Sequence, residues 1–341
     1  MKKTILFFPL LVCLWSYGQT PSNDPHWQLV WQDQFNFFDN SKWVKANYAT
    51  HIGTEPPFEP QIYLSSNVYT SNGNLVIRVN NNPVICPPNP IQTTWACGLA
   101  NPGQSYPYNS GWVETSDNFN TQFGYIEARI KLPYRDGFWP AFWTWRGRGV
   151  TTTNEAEIDI FEMVGHKPAN IVGTNIHTYY GDGNIFGQDL IPTGYSYGNT
   201  WHTYGIEWSP SKIIWYIDGS PARVFPNHGI IDPVRTILNL AIEPGYPPPT
   251  APTFTDHMYV DYVKVYELNK DCNTNISFCN YNFGLYDNKV RKNITIGNGT
   301  CANALYVGQN VYLRASEGVF INGDFTVPLG SELYIDVNAC Y

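Results

Sequence analysis

Three carboxylates fall within six residues of the stretch EIDIFE, at Glu157, Asp159 and Glu162. Side chains on a β-strand alternate between faces, so Glu157 and Asp159 would share one face. Glu162 lies five positions after Glu157 and would point the other way. One extra residue, a β-bulge near Ile160 and Phe161, would return it to the first face. Three acids side by side repel one another, and burial raises their pKa values. The cluster becomes useful when one acid must hold its proton near neutral pH while another is ionised. Cleavage of a glycosidic bond with retention uses such a pair, one acid as nucleophile and one as proton donor and later base. Two plainer readings stand beside it: a solvated strand face, and a set of calcium ligands.

The elements around these acids read as strands. Runs rich in β-branched and aromatic residues recur between Gly, Pro, Asn and Asp: LVIRV (75–79), YIEARIKL (125–132), AFWTW (141–145), EIDIF (157–161), TYGIEW (203–208), IIWYID (213–218), RTILNLAI (235–242) and MYVDYVKVYE (258–267). Asp218-Gly219 is a hairpin signal. No amphipathic helix longer than ten residues stands out. Many short strands of this kind predict an all-β sandwich or jelly roll.

Composition narrows the function classes. The chain has 341 residues, 43% hydrophobic and only 14% charged. Aromatics reach 16%, with 12 Trp and 24 Tyr, an excess that suits a cleft stacking rings on flat ligand faces. A net charge of −8 argues against nucleic acid as a partner. The start, MKKTILFFPLLVCLWSYGQ, has the basic end, short apolar run and small residues of a secretory leader spanning 1–18. That run is too short to span a membrane, and no later run is apolar enough to do so. The protein is therefore expected outside the cell, as a monomer. Without Cys13, six cysteines remain: Cys86, Cys97, Cys272, Cys279, Cys301 and Cys340. An even count in an exported chain predicts disulfides, with Cys86–Cys97 the favoured pair. Composition shifts at 269–272, dividing a large unit, 19–268, from a small β-rich unit, 269–341. The small unit carries short runs at 311–315, 319–321, 325–327 and 332–337.

The stretch EIDIFE resembles the bulged active-site signature of glycoside hydrolase family 16. The likeness extends to WQLVWQDQFN (27–36), GYIEARIKLP (124–133), GFWPAFWTW (137–145), WHTYGIEWSPSKIIWYIDG (201–219), ILNLAI (237–242) and YVDYVKVYE (259–267), in consistent order. The resemblance implies a jelly roll of two curved antiparallel sheets, like concanavalin A, with an open cleft for a polysaccharide. Carried onto this chain, Glu157 would be the nucleophile, Glu162 the acid/base and Asp159 an electrostatic helper between them. Trp139 and Trp143 match tryptophans that stack on sugars, and Trp145 continues their parity. His177 falls where the family often places a histidine facing the acids. Asn239 is a polar residue in an apolar run, either a cleft donor or a structural link. Glu59 and Gln61 resemble a stretch at the cleft rim.

No cofactor takes part in that chemistry. Many members hold a structural calcium through an acid near the opening strand and an Asp in the final strand. Asp261 keeps the second part, while Gln34 replaces an acid in the first. The expected substrate is a β-linked polysaccharide, with a lean to β-1,3-glucan. Red-algal galactans are the alternative, for which Arg135, Arg146 and Arg148 could serve a sulfate. A transglycosylase would share every residue named, and a non-catalytic glycan-binding jelly roll would not need both glutamates.

Overall fold

The computed structural model describes residues 27–50, 59–87, 97, 103–115, 119–146, 156–178, 186–190, 196–209, 212–268, 271–283, 286–297, 300–301 and 303–337. The leader expected at 1–18, Arg148 and Cys340 lie outside these residues. The chain divides into two compact units, Pro21–Lys270 and one that includes Asp271–Tyr341.

The larger unit is a jelly-roll sandwich. A seven-stranded antiparallel sheet runs in the order Gln188–Leu190, Val172–Thr178, Ala156–Glu162, Phe138–Arg146, Val234–Ile242, Trp112–Thr115 and Trp43–Lys45. A ten-stranded sheet faces it. Its central strands are Lys212–Ile217, Trp201–Trp208, Gly124–Lys131, Thr255–Leu268 and Asn74–Asn80. All its pairings are antiparallel except that of Gln61–Tyr63 with Tyr108–Ser110. Period-two alternation explains the layering. From the ten-stranded sheet, Ile126, Ala128, Ile130, Val263 and Val265 point inward. From the other sheet, Phe142, Ile158, Leu238, Leu240 and Ile242 meet them in one core. Asp218 and Gly219, both at positive φ, close the hairpin between Lys212–Ile217 and Ser220–Pro226.

The smaller unit is built differently. Asp271–Phe278, Tyr286–Ile296, Asn310–Ile321 and Glu332–Asp336 form a parallel four-stranded sheet. Asn303–Ala304 pairs with Phe325–Thr326, also in parallel. Phe278, Phe283, Ile294, Ile296, Leu305, Val311 and Leu313 form its own core. The runs at 311–315 and 319–321 are one continuous strand, which stays paired with Tyr286–Ile296 across a one-residue register shift at Ser316 and Glu317. Disulfides join Cys86 to Cys97 in the large unit and Cys279 to Cys301 in the small one. Cys272 is disulfide-bonded as well.

Candidate active site

The outward face of the seven-stranded sheet carries the acids. On Ala156–Glu162, Asp159 pairs with Trp143 on one neighbour and Asn175 on the other. Glu162 pairs with Ala141 and Gly173. Three steps along this strand match two on each neighbour, so an extra residue lies between the two acids. Its signature is two consecutive core side chains, Ile160 and Phe161, which are 3% and 0% exposed. Glu157, Asp159 and Glu162 therefore all face outward. A bulge breaks the ladder and frees a backbone group. The Asp159 carbonyl finds its donor across the core, accepting from Trp215 Nε1 of the opposite sheet at 2.9 Å.

A cleft of about 430 Å³ lies over this face. It is lined by Glu157, Asp159, Glu162, Trp139, Trp143, Trp145, His177, Asn239 and Glu59. Gln61, expected at its rim with Glu59, is fully buried beneath it and does not line it. Trp112, Asn175, Ala141 and Ala241 complete it. Asn175 follows from the alternation in TNIHT, which puts it on the face of His177. Trp112 carried no chemical signal. It reaches the cleft because its strand pairs with Val234–Ile242, opposite Asn239.

The side chains are held firmly. Trp139 Nε1 donates to Glu162 Oε1 at 2.8 Å. Trp143 Nε1 donates to Asn239 Oδ1 at 2.8 Å, and Asn239 Nδ2 donates to Tyr63 Oη at 3.1 Å. Tyr63 in turn donates to Glu59 Oε2 at 3.0 Å, and Gln61 Nε2 bonds both Tyr63 and Glu59. Asn239 is thus a structural link that also lines the cleft. Trp143 is only 6% exposed and packs edge-on against Trp112, with centroids 5.2 Å apart. Little of its ring is open to the cleft, whereas Trp139 and Trp145 are half-buried.

Burial, reinforced by the charges of Asp159 and Glu162, pushes the Glu157 carboxyl well above the usual carboxylate range. Burial and the charge of Asp159 do the same to Glu162, against the opposing pull of the Trp139 hydrogen bond and Lys167. Lys167 is itself paired with Asp189 at 2.8 Å. His177 Nε2 lies 3.6 Å from Glu157 Oε1 and 3.2 Å from Asp159 Oδ2. Asn175 Nδ2 approaches the same ring nitrogen at 2.9 Å. One protonatable acid beside a second acid, on an aromatic-lined floor, is an arrangement that can deliver a proton and a nucleophile to one bond.

The Glycosyl hydrolases family 16 model matches residues 61–264. The chain belongs to glycosyl hydrolases family 16. It is 31% identical over 272 residues to the glucan endo-1,3-beta-glucosidase A1 of Niallia circulans, a match covering 70% of this chain and 38% of that protein. It is 35% identical over 170 residues to the endo-1,3-1,4-beta-glycanase EglC of Rhizobium meliloti (strain 1021), covering 49% and 35%. The chain therefore spans well under half the length of these two curated relatives. Among solved structures, the catalytic domain of an endo-1,3-beta-glucanase (laminarinase) from Thermotoga petrophila RKU-1 superimposes with a TM-score of 0.58 at 30% identity. That match covers 72% of this chain and 99% of the other. Family 16 chemistry needs no catalytic cofactor.

Two groupings of this family 16 chain bear on metal binding. Glu157, Asp159 and His177 bring one ligand atom each within 4.8 Å of one another. All three belong to the candidate site, two as acids and one as the ring that faces them, and a cation would require both carboxyls ionised. Where a calcium was expected near Asp261, that side chain already has a partner. Asp261 Oδ2 pairs with Arg129 Nη1 at 2.8 Å, so a fixed cation already neutralises it. At the opening strand, Asp33 accepts from Phe35 N and Trp43 Nε1, both at 2.9 Å. Gln34 bonds Gln32.

Proposed function

We propose that this chain is an endo-acting, retaining hydrolase of a β-1,3-linked glucan. The observation that carries the reading is the bulge, which puts Glu157, Asp159 and Glu162 on one cleft face with Glu162 held by Trp139. In the first step Glu157 attacks the anomeric carbon. The C–O bond to the departing chain breaks, and Glu162 gives its proton to that oxygen. In the second step Glu162, now a carboxylate, takes a proton from water. The water oxygen attacks the same carbon and releases Glu157. Asp159, 2% exposed between the two, acts on both through its charge, which helps raise Glu157 and Glu162. The relatives' stated activities support β-1,3-glucan as substrate. A sulfated galactan is disfavoured because Arg135 pairs with Asp256 at 2.7 Å and lies over Phe254. Disulfides and the leader at 1–18 suit an exported protein.

The test is to incubate the chain, with and without Glu157→Ala, against laminarin, mixed-linkage glucan, agarose, porphyran and carrageenans. Glu157-dependent reducing ends from laminarin are expected. Release from a galactan alone would move the substrate. No release from any of them, by a well-folded chain, would favour a glycan-binding role.

A further inference from the structure

The sheet face that floors the cleft continues past Glu162 and Ala241, and its next row, beyond the lining residues, has no part in the chemistry above. Glu243 follows Asn239 and Ala241 at alternate positions, on the same face. Ala241 pairs with Trp139, and Glu243 N then donates to the Gly137 carbonyl at 2.8 Å, closing the next rung. From the other side comes His166, four residues past Glu162. Its backbone N donates to Glu243 Oε2 at 3.3 Å, and its ring Nδ1 bonds Glu243 Oε1. The Glu243 side chain is only 8% exposed, so a buried carboxylate anchors the imidazole.

The imidazole lies flat against Tyr246, with centroids 4.8 Å apart and planes 26° from parallel. Tyr246 N donates to the Glu243 carbonyl at 3.3 Å. A Cβ on Gly137 would meet the Tyr246 carbonyl at 2.3 Å, and one on Gly165 would meet Gly137 N and Phe138 N at 2.6 Å. Only glycine lets both loops press this close onto the start of the Phe138–Arg146 strand. Yet Tyr246 itself is 60% exposed. An aromatic ring held this firmly and left open has already lost its rotamer freedom, and its apolar face is ready for a flat ligand.

Which part of the ligand it meets follows from Glu162. The acid that protonates the leaving oxygen sits beside the sugar that departs on that oxygen. Resting on the hydrolase reading, we propose that Tyr246, backed by His166 and Glu243, stacks on a sugar of the departing half of the glucan chain. It is then a specificity-determining residue for chain length on the leaving side.

Two substrates test this. Laminaribiosyl β-fluoride has a leaving group too small to reach Tyr246, whereas laminarihexaose departs with sugars. Tyr246→Ala is expected to release fluoride at the wild-type rate and to lose about three- to tenfold in kcat/KM on laminarihexaose. Tyr246→Phe should restore the loss. Wild-type values for Tyr246→Ala on both substrates would overturn the inference and leave the hydrolase reading intact. An equal loss on both would mark Tyr246 as a prop of the fold and overturn it too. Absence of fluoride release by the wild type would sink the hydrolase reading, and this inference with it.

Discussion

Glu157 and Glu162 are chemically identical, and burial raises both. What separates them is their partners: Trp139 donates to Glu162, while Glu157 faces His177. The rate on laminarin should therefore fall as pH rises through the elevated pKa of Glu162, well above the range of an exposed carboxylate. Glu162→Gln is expected to lower kcat about 100- to 10,000-fold and to flatten that alkaline limb in a pH–rate profile. The same shift bears on stability. The native state holds its proton to higher pH than the unfolded chain, so this group's contribution is full at low pH and lost as pH rises through the raised value. Glu162→Gln should thus raise Tm, little at pH 4 and on the order of a few degrees at pH 8, in parallel calorimetric scans. Residue type and parity, with the family resemblance, were enough to bring these acids and the tryptophans to one cleft face. They were not enough for Trp143, because alternation tells which face a side chain takes and not how deep its neighbours bury it.

The bulge is the element on which the site depends, and one core residue supports it. Trp215 belongs to the opposite sheet, is 1% exposed, and donates to the Asp159 carbonyl. Trp215→Phe keeps most of the packing and removes that cross-core donor. A loss of about 1–3 kcal/mol is expected in urea titration, together with a fall in kcat on laminarin larger than any change in KM. Trp139→Phe would be a useful comparison, since it touches Glu162 without touching the bulge. The bulge itself was legible, since three acids on one face require an odd insertion in a period-two strand. The brace was not, because Trp215 and Asp159 lie 56 positions apart and only tertiary register brings them together.

At the scale of the whole molecule, the sandwich floor is tied down at its margin. The Cys86–Cys97 bond packs against Ile62, whose neighbours Gln61 and Tyr63 hold Glu59 and Asn239. Replacing both cysteines with serine should cost about 2–4 kcal/mol, read as a lower urea midpoint in the oxidised protein. The two-sheet architecture followed from many short strands with turn signals between them. The parallel stack of the smaller unit did not, because parallel pairing leaves no hairpin signal in the sequence. Nor was the partner of Asp261 legible, since Arg129 comes from a strand distant in sequence. The most direct test of the central claim is the anomeric configuration of the first products from laminarin, followed by proton NMR in the opening minutes. Double displacement through Glu157 predicts the β-anomer first, with α appearing later by mutarotation. The α-anomer first would mean direct attack by water, and Glu157 would not be a nucleophile.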